Sequence, residues 1–386
     1  MSVTAPQGFR AAGVAAGIKA SGNPDLALVV NDGPQHAAAG VFTRNKVKAA
    51  PVLWSEQVLT TGRLRAVVLN SGGANACTGP EGFQTAHATA EKAAEVLGCG
   101  AIEVAVCSTG LIGAQLPRET VLAGVETAHA ALADDAAAGL AAATAVMTTD
   151  TVAKEAAHRD PAGWTVGGLV KGAGMIAPSM ATMLSVVTTD AVVDAPVLDE
   201  ALRAAVRVSF DRLDIDGSMS TNDTVLLLAS GASGVAPDPE AFTAALTEVC
   251  TDLARQMQAD AEGVTKRITV RVTGAATEDE AVTVARTVAR DSLVKTALFG
   301  SDPNWGRVAA AVGYSDAAVD PERLDVTING TLLCRGGVAA GDRKDADLKG
   351  EDILVEVELG LGLGTADILT TDLSHAYVEE NSAYSS

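Results

Sequence analysis

Aromatic residues make up only 3% of this 386-residue sequence, so its hydrophobic core must be built from small aliphatic side chains. Basic clusters are also missing, since the formal net charge is −20 at pH 7 and no Lys/Arg-rich tract is present. Nucleic-acid binding needs clustered cations and is therefore excluded. No run approaches the ~18 apolar residues of a membrane-spanning helix. The N-terminal MSVTAPQGFRAAGVAAGIK also lacks the apolar region of a secretory signal.

Metal-ligand spacing is absent as well. The five cysteines are odd in number, scattered and without C-x-x-C spacing, and the five histidines show no ligand pattern. This usage predicts reduced, mostly buried thiols in a cytoplasmic protein and no metal site. The segment FDRLDIDGSMSTND (210–223) resembles a calcium loop. It places Arg212 at the first ligand position, where a cation would be repelled, and we reject calcium.

Short β-rich runs alternate with Ala-rich helical runs, which predicts a mixed α and β fold. The length suggests two or three packed units, yet no linker or composition change marks a boundary. The predicted strands are 25–31, 65–70, 103–108, 182–193, 223–230, 267–274, 324–330, 353–360 and 365–374. The predicted helices are 83–98, 117–132, 196–210, 239–263 and 280–300.

The stretch GMIAPSMATMLSVVTTDA (174–191) places Ala181 and Thr182 where a loop becomes a strand. One interpretation is a β-branched residue that opens a strand. The other is chemical: the hydroxyl of Thr182 attacks the carbonyl of Ala181, and water cleaves the resulting ester. The new N-terminal threonine would then carry its own base, because an α-amine has a pKa near ~8. No G-x-S-x-G elbow and no persuasive Ser-His-Asp triad competes with it.

The segment CSTGLIG (107–113) follows a predicted strand. It is compatible with a simple Ser/Thr/Gly turn. It also offers two donors for an oxyanion, the hydroxyl of Thr109 and the backbone N–H of Gly110. Two Gly-rich segments, NSGGANACTG (70–79) and LGLGLGTAD (359–367), lack nucleotide-binding spacing and are interpreted as tight turns at strand ends.

Five stretches, in order, resemble one family: NSGGANACTG, CSTGLIG, KGAGMIAPSMATML, STNDT and FGSDPNWGR. The chain is similar to the glutamate N-acetyltransferase/ornithine acetyltransferase family of arginine biosynthesis, essentially from end to end. The most specific mark is the Ala181-Thr182 segment, because members of this family autocleave at that bond. One departure is Ser218-Met219, where many members have Asp-Thr.

The resemblance implies an α+β fold, an αββα layered sandwich related to aminopeptidases with a serine nucleophile. It implies an α fragment, residues 1–181, and a β fragment, residues 182–386, that pack into one globular unit. Two copies of each fragment would associate as a heterotetramer. The implied activity moves an acetyl group from N2-acetylornithine to glutamate in a ping-pong cycle, without a metal or organic cofactor.

The resemblance also implies roles for individual residues. Thr182 is the nucleophile, and Thr109 and Gly110 form the oxyanion hole. The implied substrate contacts are Thr148, Lys171, Thr182, Glu262, Asn381 and Ser386. Among these, Lys171 is expected to face a substrate carboxylate and Glu262 a substrate ammonium group.

Two alternatives remain open at this point. One is an aminopeptidase or amidase of the related fold, and the other is a secondary-metabolism paralogue with a different acceptor. Acetyl-CoA is a candidate second acetyl donor, and no residue pattern in the sequence decides whether it is used.

Overall fold

Three β-sheets organise the part of the chain that the structure, a computed structural model, describes: residues 2–176 and 183–383. The chain divides into a first unit, residues 1–211 and 218–257, and a second unit, residues 212–217 and 258–386. One boundary falls inside a long helix, between residues 257 and 258. The other two lie at the ends of the six-residue segment 212–217, which belongs to the second unit. No linker is needed at such junctions, and this is why the composition shows none.

The first sheet of the first unit has the strand order β1-β2-β4-β5. Its central strand β2 is antiparallel to β1 and β4, and β4 and β5 are parallel. Every residue of β2, β4 and β5 is buried, as expected when both faces of a sheet are covered. The strands are β1 (Phe9–Val14), β2 (Leu26–Asn31), β4 (Ala66–Asn70) and β5 (Val104–Ser108).

The second sheet of this unit has the order β3-β9-β8-β7-β6. Only β8 and β9 run parallel, with Leu184 opposite Thr224, and the other neighbours are antiparallel. Buried side chains from β7, β8 and β9 join those of the first sheet in one core, so the two sheets face each other. The strands are β3 (Ala37–Phe42), β6 (Lys154–Arg159), β7 (Thr165–Lys171), β8 (Leu184–Thr189) and β9 (Thr224–Ala229).

Helices cover the outer faces and complete an αββα sandwich in this unit. Helices α2, α3 and α4 pack on strands of the first sheet, α5 packs on β3, and α6 approaches β7 through Leu253. Helix α5 begins where the carboxylate of Asp194 accepts the N–H of Val197. The helices are α1 (Ala50–Leu59), α2 (Gly79–Leu97), α3 (Arg118–Ala130), α4 (Ala136–Ala145), α5 (Ala195–Val208) and α6 (Pro239–Ala259).

The second unit is built on a six-stranded sheet in the order β13-β12-β11-β14-β10-β15. Alternate residues of β10 are buried against α7, which matches the alternation of RITVRVTG. Its strands are β10 (Arg267–Ala275), β11 (Asp325–Ile328), β12 (Thr331–Arg335), β13 (Val338–Ala339), β14 (Asp352–Glu358) and β15 (Gly364–Thr371). Its helices are α7 (Glu278–Arg290), α8 (Ser292–Phe299), α9 (Trp305–Gly313) and α10 (His375–Ala383).

The structure corrects two of the predicted helices. The helix predicted at 280–300 is two helices, α7 and α8, because Asp291 adopts an extended conformation and its carboxylate caps α8 by accepting the N–H of Val294. The helix predicted at 239–263 ends at Ala259, and Gly263 lies in a following turn with φ +60°.

Two other expectations are confirmed. The Gly-rich segments lie at strand ends, after β4 and between β14 and β15. The cysteines are free and mostly buried, with only Cys77 exposed. Within the described residues, no helix is long and apolar enough to cross a membrane.

Candidate active site

Thr109 and Gly110 lie immediately after β5, in a turn held by the neighbouring strand end. The N–H of Thr109 donates to the carbonyl of Asn70 (2.9 Å), and the carbonyl of Thr109 accepts the N–H of Gly73 (3.0 Å). Gly110 has φ +133°, and a Cβ there would lie 2.5 Å from the nitrogen of Gly73. Only glycine fits this position, because other residues meet both an unfavourable φ and a backbone collision.

Both groups are oriented as hydrogen-bond donors. The Thr109 side chain is buried, and its Oγ1 accepts a hydrogen bond from Nζ of Lys171 (3.2 Å). Since the ammonium group can only donate, the hydroxyl hydrogen of Thr109 points elsewhere. Among the described residues, the N–H of Gly110 has no hydrogen-bond acceptor. A threonine O–H and an adjacent glycine N–H of this kind can hold an oxyanion.

Lys171, the last residue of β7, is 2% exposed. Its charge is balanced by Asp150, whose carboxylate also accepts bonds from Nζ of Lys154 (2.7 Å) and the N–H of Gly172 (2.7 Å). Burial by itself would raise the pKa of Asp150. The ammonium groups of Lys171 and Lys154, together with these hydrogen bonds, outweigh burial and lower that pKa to about 2.

Asp150→Asn is expected to lower the free energy of unfolding at pH 7 by about 3–5 kcal/mol, because two buried ammonium groups lose their counter-ion. A lowered folded-state pKa stabilises the fold above the unfolded pKa. The contribution is therefore complete above about pH 4 and is lost as the pH falls towards about 2. Denaturant unfolding at several pH values measures the difference. The exposed control Asp134→Asn should change stability by less than about 0.5 kcal/mol, and an equally small loss for Asp150→Asn would contradict the prediction.

Thr148 is joined to the same carboxylate. Its backbone N–H donates to the second oxygen of Asp150 (3.0 Å), and its side chain is half-buried. One carboxylate thus links Thr148 with Gly172, the residue after Lys171. The structure therefore brings three of the predicted site positions, Thr109, Lys171 and Thr148, into one hydrogen-bonded and electrostatic network.

The STNDT segment is attached to the same strand ends through Asn222. Its side-chain amide donates to the carbonyls of Ala74 (2.6 Å) and Ser108 (2.8 Å). Ala74 lies in NSGGANACTG and Ser108 in CSTGLIG, so a single buried amide joins three of the five stretches that carry the family resemblance. These stretches are distant in the sequence, and the fold makes them one site.

Asp223 follows Asn222 and lies against the start of β8. It is fully buried, and its Oδ1 accepts the N–H of Met183 (3.2 Å). Its other oxygen, Oδ2, is also buried and lies outside hydrogen-bond geometry with every described residue. Burial raises the pKa of Asp223 well above its ordinary value, although Met183, the hydroxyls of Ser220 and Thr43, and the ammonium group of Lys171 act in the opposite direction.

The remaining predicted residues form two groups. Ala181, Thr182 and Ser386 fall outside the described residues, so their assignments stay predictions. Glu262 and Asn381 belong to the second unit. Glu262 is 9% exposed in the turn after α6, and Asn381 is an exposed residue of α10 whose side chain donates to the carbonyl of Tyr377 (3.0 Å).

Sequence reasoning missed Asp150, Asn222 and Asp223 as members of this site. Asn222 and Asp223 belong to STNDT, which carries the family resemblance but does not indicate a role for either residue. Asp150 belongs to VMTTDT, in which the resemblance implies a role for Thr148 alone. A carboxylate or amide beside a strongly apolar strand, such as Asp223 before TVLLLA, indicates a buried polar group that requires a partner.

Comparison with known proteins shows the family to which the chain is similar. The model of the ArgJ family matches residues 10–386. The chain is 65% identical over 389 residues to the "Arginine biosynthesis bifunctional protein ArgJ" of Mycolicibacterium paratuberculosis, covering all of this chain and 96% of that protein.

Two solved structures are also similar to this chain. One is an ornithine acetyltransferase from Mycobacterium tuberculosis complexed with ornithine, with 65% identity and a TM-score of 0.46, covering 46% of this chain and 94% of that chain. Another is the arginine biosynthesis bifunctional protein argJ of Bacillus halodurans, with 38% identity and a TM-score of 0.49, covering 51% and 97%. From the family match and the identity over its full length, we conclude that this chain belongs to the ArgJ family.

Proposed function

We propose that the protein transfers the acetyl group of N2-acetylornithine to glutamate through an ester on Thr182, producing ornithine and N-acetylglutamate. The observation that carries this proposal is the pair of donors after β5. The Thr109 hydroxyl is oriented by Lys171, and the N–H of Gly110 has no acceptor among the described residues. Membership of the ArgJ family supports the choice of acetyl transfer.

Chain scission prepares the nucleophile. Thr182 Oγ attacks the carbonyl carbon of Ala181, and the peptide bond is replaced by an ester as the C–N bond breaks. Breaking the C–N bond frees the α-amine of Thr182, and water then hydrolyses the ester to release the carboxylate of Ala181 and the hydroxyl of Thr182. The products are fragments of 181 and 386 − 181 = 205 residues.

The acetyl group then moves in two matched steps. The α-amine of Thr182 accepts the hydroxyl proton as Oγ attacks the acetyl carbonyl carbon. Thr109 and Gly110 donate to the developing oxyanion, and ornithine leaves with the proton. Glutamate's amine attacks the acetyl ester in the second step, which returns Thr182 to its starting state. The enzyme carries the acetyl group, so no metal or organic cofactor takes part.

Lys171 contributes positive charge to this step. Its Nζ is one hydrogen bond from Thr109 Oγ1, which makes that hydroxyl a better donor to the oxyanion. A contact with a substrate carboxylate, as the resemblance implies, uses the same ammonium group. Glu262 is proposed to hold a substrate ammonium group. Thr148, Asn381 and Ser386 are proposed as further substrate contacts.

Three further properties are part of the proposal. The two fragments stay together, and two copies of each form a heterotetramer. The protein acts in the cytoplasm. Acetyl-CoA is a candidate second donor, for which the test is a steady-state assay with acetyl-CoA as the sole acetyl source.

The experiment that tests the main activity uses N2-acetylornithine with a ¹³C-labelled acetyl group. With glutamate present, ornithine and labelled N-acetylglutamate should form in equal amounts, and initial rates should give the parallel lines of a ping-pong cycle. Without glutamate, the label should still exchange between acetylornithine and added ornithine. Release of free amino acids from peptides without acetyl transfer would instead indicate an aminopeptidase.

A further inference from the structure

The loop between β1 and β2 is organised by one buried carboxylate. Asp25 is 0% exposed, and its side chain accepts the backbone N–H groups of four consecutive residues, 16–19, at 2.6–3.2 Å. The carbonyl of Asp25 also accepts the N–H of Ser71 (2.9 Å). N–H groups that converge on a carboxylate form an anion-binding nest. The carboxylate therefore fixes the backbone of this loop as far as Lys19.

The side chain of Lys19 reaches from this loop to the segment that precedes β6. Its Nζ donates to the carbonyl of Met147 (2.7 Å) and to the carbonyl of Pro24 (3.2 Å). Burial lowers the pKa of Lys19, while the carboxylates of Asp25 and Asp150 act in the opposite direction. The ammonium group thus lies within electrostatic range of Asp150, the central carboxylate of the candidate site.

Lys19 and Asp150 hold the two sides of one peptide group. The carbonyl oxygen of this group belongs to Met147 and accepts the hydrogen bond from Lys19. Its N–H belongs to Thr148 and donates to Asp150 (3.0 Å). Because a peptide group is planar, it cannot rotate without weakening both bonds. Each bond also involves a charged group, which makes it stronger than a bond between two amides. The backbone at Thr148 is consequently fixed from both sides.

The same loop lies against the strand end that supports the proposed oxyanion donors. A Cβ added at Gly72 would lie 3.2 Å from Cγ of Lys19. Gly73, the next residue, donates its N–H to the carbonyl of Thr109 (3.0 Å). One loop therefore contacts both the segment that carries Thr148 and the segment that holds Thr109.

We propose that Lys19 is a positioning residue for substrate binding: by holding the peptide group before Thr148, it keeps the Thr148 side chain in place for the acetyl donor. The inference rests on the proposed function, in which Thr148 contacts the substrate. Lys19 acts through Thr148 and not on the acetyl group itself. A contact of this kind stabilises the substrate and the transition state equally, so its loss raises KM and leaves kcat nearly unchanged.

Lys19→Met tests the proposal, because methionine keeps an unbranched apolar side chain and lacks the ammonium group. KM for N2-acetylornithine should rise about tenfold, while kcat stays within about threefold of the wild type. Lys19→Arg keeps a cationic donor and should recover most of the affinity. The matched control is Lys46→Met, at an exposed lysine, which should leave both constants unchanged. Initial rates are measured at a temperature at which circular dichroism shows every variant to be folded.

A double-mutant cycle separates positioning from general stabilisation. Thr148→Ala removes the hydroxyl and should by itself raise KM. Adding Lys19→Met to this variant should raise KM by less than about twofold further, because the group that Lys19 positions is already absent. A purely structural role for Lys19 would lower the thermal midpoint and leave KM unchanged in both backgrounds.

A KM for folded Lys19→Met within about twofold of the wild type, in a protein that transfers acetyl groups, would overturn this inference and leave the proposed activity intact. So would an unchanged KM for Thr148→Ala, or fully additive effects of the two substitutions. Wild-type protein that transfers no acetyl group would refute the proposed function itself. If Lys19→Met does not fold, Lys19→Gln replaces it under the same criteria, because its neutral amide can still donate to one carbonyl.

Discussion

Thr182→Ala is expected to yield a single chain of 386 residues in which acetyl transfer falls by at least about 10⁴-fold. Removing the hydroxyl removes the atom proposed to attack Ala181, so no new N-terminus should form. It also removes the atom that would carry the acetyl group. Denaturing electrophoresis and mass spectrometry measure the first effect, and the labelled exchange assay measures the second.

The controls separate the two effects. Thr182→Ser keeps a hydroxyl and should still cleave and transfer at a measurable rate. Thr127→Ala removes the hydroxyl of an exposed threonine on α3 and should behave as the wild type. Wild-type protein that is fully active without any fragment beginning at Thr182 would contradict the mechanism.

Thr109→Val is expected to lower kcat by about 10²–10³-fold, the usual effect of losing one oxyanion donor. KM for acetylornithine should change much less, because the proposed role of the hydroxyl is to stabilise charge that develops in the transition state. Valine is close in shape, but it leaves Nζ of Lys171 without the acceptor it has at 3.2 Å. Some loss of stability, about 1–3 kcal/mol, should accompany the kinetic effect.

Thr109→Ser separates the effect of losing the hydroxyl donor from the effect of altered packing. Serine retains the O–H and should restore most of kcat, while Thr127→Val should leave both constants unchanged. Initial rates over a range of acetylornithine concentrations give kcat and KM for each variant. A kcat for Thr109→Val within threefold of the wild type would remove Thr109 from the oxyanion hole.

Hydrophobic periodicity predicted the long helices and strands well. It predicted poorly where one helix ends and the next begins. The buried run TVLLLA is β9, and the alternating RITVRVT lies in β10. The predicted helix at 280–300 was wrong at one point, since Asp291 ends α7 and caps α8. An aspartate inside a helical pattern is compatible with either an exposed side chain or a cap, and only packing against neighbouring elements selects between them.

The sequence indicated which segments contribute to the site. It did not indicate which of their residues contact one another. CSTGLIG indicated Thr109 and Gly110, and both lie at the end of β5 as donors. The expectation that Lys171 faces a carboxylate did not include its bond to Thr109. Nor did any local pattern indicate that Asp150 would join Thr148 to Gly172. The bonds from Lys171 to Thr109 and from Gly172 to Asp150 join residues 62 and 22 positions apart, and sequence spacing carries no information about such pairings.

The sequence by itself determined the mixed α and β class, the small aliphatic core and the family to which the chain belongs. These properties follow from composition, periodicity and ordered motifs, all of which are local. Only the tertiary structure decided that Lys171 orients Thr109 and that Asn222 joins the loop after β4 to the end of β5. It also decided that the carboxyl group of Asp223 is fully buried. These are consequences of two sheets packed face to face, because burial and hydrogen-bond satisfaction depend on which distant segments the packing brings together.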